Sequence, residues 1–147
     1  MNYALLSKQL EALSDGIEYD ITVLANASAL LYSSLDDINW AGFYVLKGGK
    51  LRLSAFQGKP ACTVIEIGRG VCGKCAKEMK TVRVDNVHEF EGHIACDCTS
   101  NSEIVIPIIK DGALYGVLDI DSPIFSRFDD EDKEGLEDFV KALEKHI

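Results

Sequence analysis

The chain has 147 residues, 47% hydrophobic and 27% charged, with 15 basic against 24 acidic side chains and a formal net charge of −9. This is the size of one domain that buries roughly 68–70% of its unfolded surface without disulfide staples, and its composition excludes disorder. The acidic balance argues against a nucleic-acid or anionic-membrane partner. The longest apolar runs, such as residues 104–109, are far too short to span a bilayer, and Met1-Asn2-Tyr3-Ala4 lacks the basic-then-apolar shape of a signal peptide. A cytoplasmic protein is expected.

Two helical stretches open the chain. Leu5, Leu6, Leu10 and Leu13 form a short amphipathic pattern ending at Ser14-Asp15-Gly16. From residue 20 to 35, Ile21, Leu24, Leu31 and Leu35 recur near the helical period around the small Ser28, with Asp20 placed to cap. The period then changes to that of strands. Residues 39–47 and 50–55 are joined by Gly48-Gly49, a two-residue hairpin signal. Residues 63–67 and 81–84 read as further strands, separated by Gly68-Arg69-Gly70 and a short helix over 71–79. Residues 85–100 have little periodicity, and a loop of that length inside a compact domain is usually functional or disordered. Two clear strands follow, 102–110 and 113–121, around Asp111-Gly112. The last element is a helix capped at Asp129, with Asp132 in a variant capping box. Leu136, Phe139, Val140, Leu143 and Ile147 form its buried stripe, and Lys141 and Lys145 stand at its negative end. This order predicts an α+β fold with a central antiparallel sheet and the N- and C-terminal helices packed on one face.

All five cysteines fall between residues 61 and 103: Cys62, Cys72, Cys75, Cys96 and Cys98. An odd count without a signal peptide points away from a secreted disulfide scaffold and toward thiol chemistry or metal binding. Thiol reduction of an oxidised sulfur needs an accessible thiolate, a proton source for the leaving oxygen and usually a resolving thiol. Cys96 is the nucleophile candidate by position, in the irregular loop ahead of a strand with His93 and Asp97 nearby. Cys62 precedes a strand. Cys72 opens a helix, where the positive end of the dipole is expected to lower a thiol pKa. One such cysteine is more often a small buried hydrophobe, but five in this segment are not.

A metal site is the rival reading. Cys72-x-x-Cys75 followed by Cys96-x-Cys98 resembles a four-thiolate zinc pattern, although the second pair is unusually tight and Cys62 stays unexplained. A thioredoxin-type reading of Cys72-Gly73-Lys74-Cys75 is weaker, because no clear βαβ unit surrounds it.

Carboxylates add a second constellation. On the strand 113–121, Leu114, Gly116, Leu118 and Ile120 make one apolar face, so Asp119 and Asp121 share the other. A solvent-facing edge explains one aspartate more easily than two neighbours, whose repulsion would raise at least one pKa unless a cation, such as an amino group, sat between them. A protonated carboxyl there could serve as general acid. An ideal two-residue hairpin would put Glu103 opposite Ile120, on the wrong face. Joining the aspartates requires a one-residue bulge, at Pro107 or beside Asp111-Gly112. Trp40 and Tyr44 share a face of the first strand, with Gly42 between them leaving room beside the rings. They read as core packing or as an aromatic wall for a small ligand.

The runs Asn39–Tyr44, Phe56–Cys62, Ile67–Gly73, Asp85–His88, Gly92–Asp97, Ser100–Val105, Gly116–Ser122 and Phe128–Asp132 resemble, in order and spacing, the free methionine-(R)-sulfoxide reductases, which are single GAF domains. The likeness runs from about the second helix onward, and the combination of three placed cysteines with the acidic positions is absent from generic GAF sensors. The resemblance implies a single GAF domain over residues 1–147, with a GAF-like sheet and terminal helices. It implies that Cys96 attacks the sulfoxide sulfur, releases methionine and becomes a sulfenic acid. Cys62 would resolve it as a disulfide, and Cys72 would take part in recycling by thioredoxin. Glu103, Asp119 and Asp121 would hold the substrate's amino group and help protonate the leaving oxygen, with Trp40 and Tyr44 around its methyl end. No cofactor and no metal are implied, and a homodimer through the terminal helices is compatible with the family. Cys75 and Cys98 lie outside the motif. A GAF-type ligand- or redox-sensing module without turnover, and a small zinc protein, stand as the alternatives.

Overall fold

The computed structural model of the chain describes residues 1–92 and 99–147. In chain order they form α1 (Tyr3–Ser14), α2 (Asp20–Ser34), β1 (Trp40–Lys47), β2 (Lys50–Gly58), β3 (Val64–Glu66), α3 (Gly70–Glu78), β4 (Val82–Val84), a 3₁₀ turn (Val87–Glu89), β5 (Ser102–Lys110), β6 (Ala113–Ser122) and α4 (Asp130–Glu144). The strands build one antiparallel sheet in the order β3-β2-β1-β6-β5-β4. One face carries Ala41, Phe43, Ile104, Ile106, Ile108, Leu118 and Ile120. Against it lie α2 and α4, and α1 packs on both, so the terminal helices share a face as expected. The opposite face carries Trp40, Tyr44, Leu51, Val105 and Val117, covered by α3 through Val71, Cys72, Cys75 and Ala76. Side chains alternate between sheet faces along each strand, so one sheet serves two separate clusters.

Local sequence signals set most of the boundaries. Gly48-Gly49 links Lys47 to its partner Lys50, and Asp111-Gly112 links Lys110 to Ala113. All four turn residues have positive φ, the requirement of the two-residue turn that matches strand twist. At α4 the capping box is complete: the Asp129 carboxylate accepts from the Asp132 backbone N–H at 2.8 Å, and Asp132 accepts from Asp129 N–H at 3.0 Å. Asp132 also accepts from the Tyr3 hydroxyl at 2.5 Å and from the Arg127 guanidinium at 3.1 Å, which ties α1 to the start of α4.

The first two helices depart from the expected stripes. In α1, Tyr3, Leu6, Leu10 and Ser14 are buried while Leu5 and Leu13 stand exposed. In α2 the buried stripe is Val23, Leu24, Ala27, Ser28 and Leu31, and Ile21 faces outward. The small residues bring this helix close to the sheet, where the Ser28 hydroxyl donates to the Leu24 and Ala55 carbonyls at 2.8 and 3.2 Å. Asp20 is the first residue of α2 rather than its cap. Tyr19 occupies the cap position without a side-chain bond, and the Asp20 carboxylate accepts from the Tyr115 hydroxyl at 3.2 Å.

Gly135 sets the approach of α1 to α4. A Cβ built there would lie 2.2 Å from two ring carbons of Tyr3. Alanine would gain about 1 kcal/mol of helix propensity, but overpacking of this kind typically costs about 1–3 kcal/mol, and moving Tyr3 also breaks its bond to Asp132. Gly135→Ala is therefore expected to lower stability by about 1–2 kcal/mol net, read as a shifted urea midpoint at unchanged slope. An unchanged or higher midpoint would show that Tyr3 does not hold the two helices together.

Candidate functional site

The hairpin β5–β6 carries the bulge that the acidic cluster requires. Lys110 pairs with Ala113 and Ile109 with Leu114, but Ile108 pairs with Gly116, so Tyr115 is the extra residue. It lies between the two places expected from the sequence. Beyond it every pair is offset by one, and Glu103 faces Asp121 instead of Ile120. The same offset returns Leu114 to the face of Val117, away from Leu118 and Ile120, so the strand does not keep one apolar face throughout. A bulge reverses the alternation of side chains, which is how two acidic strand ends come to share one face.

Register then assembles the site in cross-strand rows. Trp40, Asp121 and Glu103 lie side by side across β1, β6 and β5, and the next row is Gly42, Asp119 and Val105. Glu103 and Asp119 are 5% and 6% exposed, burial rare for carboxyls, while Asp121 is half-buried. From the facing helix, Cys72 meets Asp119 within hydrogen-bonding reach. Burial drives the Glu103 carboxyl well above its ordinary range, helped by the charges of Asp119 and Asp121 and by its hydrogen bonds to both. Asp119 is also raised by burial, against the opposing hydrogen bonds from Glu103 and Cys72. Burial and its two aspartate neighbours thus favour the protonated form of Glu103. One oxygen of Asp119, Oδ1, is buried with no hydrogen-bond partner among the described residues.

The aromatic residues pack in the core and also line a cavity. Trp40 and Tyr44 are each 2% exposed and pack in the core cluster, and both line the cavity above the carboxyls. Their rings stack at 6.0 Å between centroids, and Trp40 stacks on Phe56 at 5.2 Å. Gly42 leaves no free space: a Cβ there would lie 2.3 Å from the Phe56 Cβ and 2.8 Å from the Trp40 ring, so the absent side chain is what lets the indole lie along the strand. The polar ends of the rings hold the next segment. Trp40 Nε1 donates to the Lys59 carbonyl at 3.0 Å and the Tyr44 hydroxyl to the Cys62 carbonyl at 2.9 Å, pinning residues 59–62 over β1.

The thiols separate into distinct environments. Cys62 is disulfide-bonded, and Cys72 and Cys75 are free and buried. Burial pushes the Cys72 thiol up, with the charges of Asp119, Glu103 and Asp121 adding to it. This overturns the expectation that the start of a helix would make Cys72 acidic: removal from water and three carboxyls outweigh the dipole. Cys75 is fully buried, and desolvation followed by Asp119 and Glu78 pushes its thiol to about 12. Cys96 and Cys98, and with them His93, Asp97 and half of the four-thiolate pattern, lie outside the described residues. The sequence reading missed Arg69, Gly70 and Ser100, which also line the cavity. An exposed arginine in a turn carries no periodic signal, so nothing in the chain marked it.

Residues 4–147 match the GAF domain family. The free methionine-R-sulfoxide reductase of Escherichia coli is 52% identical over 97% of this chain and 87% of its own length. The protein of the same name from Saccharomyces cerevisiae is 48% identical over 92% of this chain and 79% of its own. Among solved structures, the fRMsr of Staphylococcus aureus in complex with substrate superposes with a TM-score of 0.94 at 54% identity, covering 99% of this chain and 95% of that one. With a bulge-built acidic cluster under an aromatic wall, and likeness of this extent along the whole fold, the chain belongs to the GAF-domain free methionine-R-sulfoxide reductases.

Proposed function

We propose that this protein, as a single GAF unit, reduces free L-methionine-(R)-sulfoxide to methionine in the cytoplasm. The observation that carries the reading is the trio Glu103, Asp119 and Asp121, brought to one face by the Tyr115 bulge beneath Trp40 and Tyr44. A buried acidic cluster favours an ammonium ion, which a free amino acid presents and a methionine inside a peptide chain does not. A peptide nitrogen has no charge to offer, so the site discriminates by leaving carboxylates unpaired when the wrong substrate enters. Trp40 and Tyr44 supply the apolar surface for the methyl end. No helix among the described residues is long and apolar enough to cross a membrane.

In the proposed reaction the Cys96 thiolate attacks the sulfoxide sulfur while a cluster carboxyl, with Glu103 the candidate, protonates its oxygen; the S–O bond breaks and the hydroxyl passes to the Cys96 sulfur. Methionine leaves and Cys96 becomes a sulfenic acid. The Cys62 thiol condenses with it, forming a disulfide and releasing water. A dithiol reductant of the thioredoxin class then returns both sulfurs to thiols, with Cys72 taking part in the exchange. Support comes from Cys62, which is already disulfide-bonded while Cys72 and Cys75 remain free.

The test is NADPH oxidation coupled through thioredoxin and its reductase, with the R and S epimers of free methionine sulfoxide supplied separately. Turnover of the R epimer alone is expected. Binding of the sulfoxide without turnover would instead make the protein a ligand-sensing GAF module, and turnover of both epimers would contradict the stereochemical reading.

A further inference from the structure

Three donor groups from three different elements meet at the floor of the cavity: the Cys72 thiol from α3, the Glu103 carboxyl from β5 and the Asp119 carboxyl from β6. One ligand atom of each lies within 4.8 Å of the others. All three side chains are more than nine-tenths buried, at 4%, 5% and 6% exposure, so they form a built pocket rather than a surface scatter of acids. One of their oxygens, Asp119 Oδ1, is buried without a hydrogen-bond partner among the described residues. Such an orphan acceptor is costly unless a ligand completes it.

The dimensions suit a small cation. Zinc bonds of about 2.3 Å to sulfur and 2.0–2.2 Å to oxygen correspond, in a tetrahedron, to donor separations of about 3.4–3.6 Å. Closing from 4.8 Å requires each side chain to move by less than about an ångström, which rotation of its outer bonds provides. The fourth coordination position opens into a cavity of about 40 Å³, room for one or two waters. A thiolate with two carboxylates selects a thiophilic ion over magnesium or calcium, which prefer all-oxygen shells. The set differs from the four-thiolate pattern in the sequence, for it takes only Cys72 from it.

We propose that Cys72, Glu103 and Asp119 bind a divalent cation of the zinc and cadmium class, and that the ion occupies the place of the substrate's ammonium group. The metal is then a reversible inhibitor, and because a thiolate is one of its ligands, oxidation of Cys72 abolishes the site. Metal occupancy is thereby restricted to the reduced protein. The binding half of the proposal stands on the geometry alone; the competition half rests on the proposed substrate pocket.

The experiment is an anaerobic titration of the metal-free, reduced full chain with cadmium, followed by the ultraviolet charge-transfer absorption of the thiolate–cadmium bond. Replacing Cys62, Cys96 and Cys98 with serine removes competing thiols, with folding checked by circular dichroism. In that background one cadmium per chain is expected. Cys75→Ser should leave the band unchanged, Cys72→Ser should abolish it, and Asp119→Asn should weaken binding at least tenfold with the thiol still present. Persistence of the band in Cys72→Ser, or unchanged affinity in Asp119→Asn, would overturn the site. Free L-methionine is expected to displace the ion. Cadmium that needs Cys72 but is not displaced by methionine would overturn the competition alone and point back at the substrate reading.

Discussion

Replacing Cys96 with serine is expected to reduce turnover by at least about a thousandfold, because a hydroxyl in place of the proposed attacking thiol removes the covalent route altogether. Cys62→Ser should behave differently. Its first reduction needs only Cys96, so methionine should appear in a burst equal to the enzyme concentration and then stop at the sulfenic acid. Rapid-quench measurement of methionine separates the two outcomes, and a dimedone adduct on the stalled Cys62→Ser protein would mark the sulfenate. Full activity in Cys96→Ser would remove Cys96 from the mechanism. Steady turnover in Cys62→Ser with thioredoxin would mean that another thiol resolves the intermediate, and Cys72, free and lining the cavity, is the candidate among the described residues.

Glu103→Gln is expected to move activity and stability in opposite directions. The amide has no proton to give the sulfoxide oxygen and weakens one charge-assisted bond to the substrate's ammonium, so kcat/KM is expected to fall by at least roughly 100-fold. The unliganded protein should become more stable at neutral pH. The sign follows from the raised Glu103 carboxyl. A group that holds its proton more tightly when folded contributes full stability below its unfolded pKa, near 4.3, and loses it as pH rises through the folded value. At neutral pH the buried carboxyl is therefore a liability, and the amide removes it while keeping the shape. A thermal melt and a steady-state assay on the same sample check both effects. Loss of stability together with unchanged kcat/KM would assign Glu103 to the fold instead of the site. Such opposition is the usual mark of a functional group kept at the expense of stability.

Much of this architecture was legible because short-range chemistry dictated it. The Asp129–Asp132 capping box and the two glycine-bearing hairpin turns are local devices, and they stand where the chain announced them. The requirement for a bulge was also legible, since hairpin arithmetic put Glu103 on the wrong face unless one residue was inserted. Its identity as Tyr115 was not, because the choice depends on how Gly116 fits against the Tyr44 carbonyl, which a Cβ would approach to 2.2 Å. Along α2 and its C-terminal cap, Leu24, Ser28, Leu31 and Leu35 are buried as the spacing predicts, while Ile21 faces outward. Ile21 fits the helical period, yet the helix turns its small Ala27 and Ser28 inward to approach β2, and that preference belongs to the partner surface. The acidity expected of Cys72 failed because position in a helix is local, whereas the burial and the carboxyls that raise its pKa come from two distant strands.

The proposed specificity depends on the buried carboxyls reading a free amino group. The most direct measurement is methionine release, under single-turnover conditions with reduced protein, from free methionine-(R)-sulfoxide and from its N-acetylated form. Release is expected from the free amino acid, with a rate lower by at least about 100-fold from the acetylated one, the scale expected when a buried charge is left without its partner. Equal rates would show that Glu103, Asp119 and Asp121 do not recognise the amine, and the assignment of the acidic cluster would fall with them.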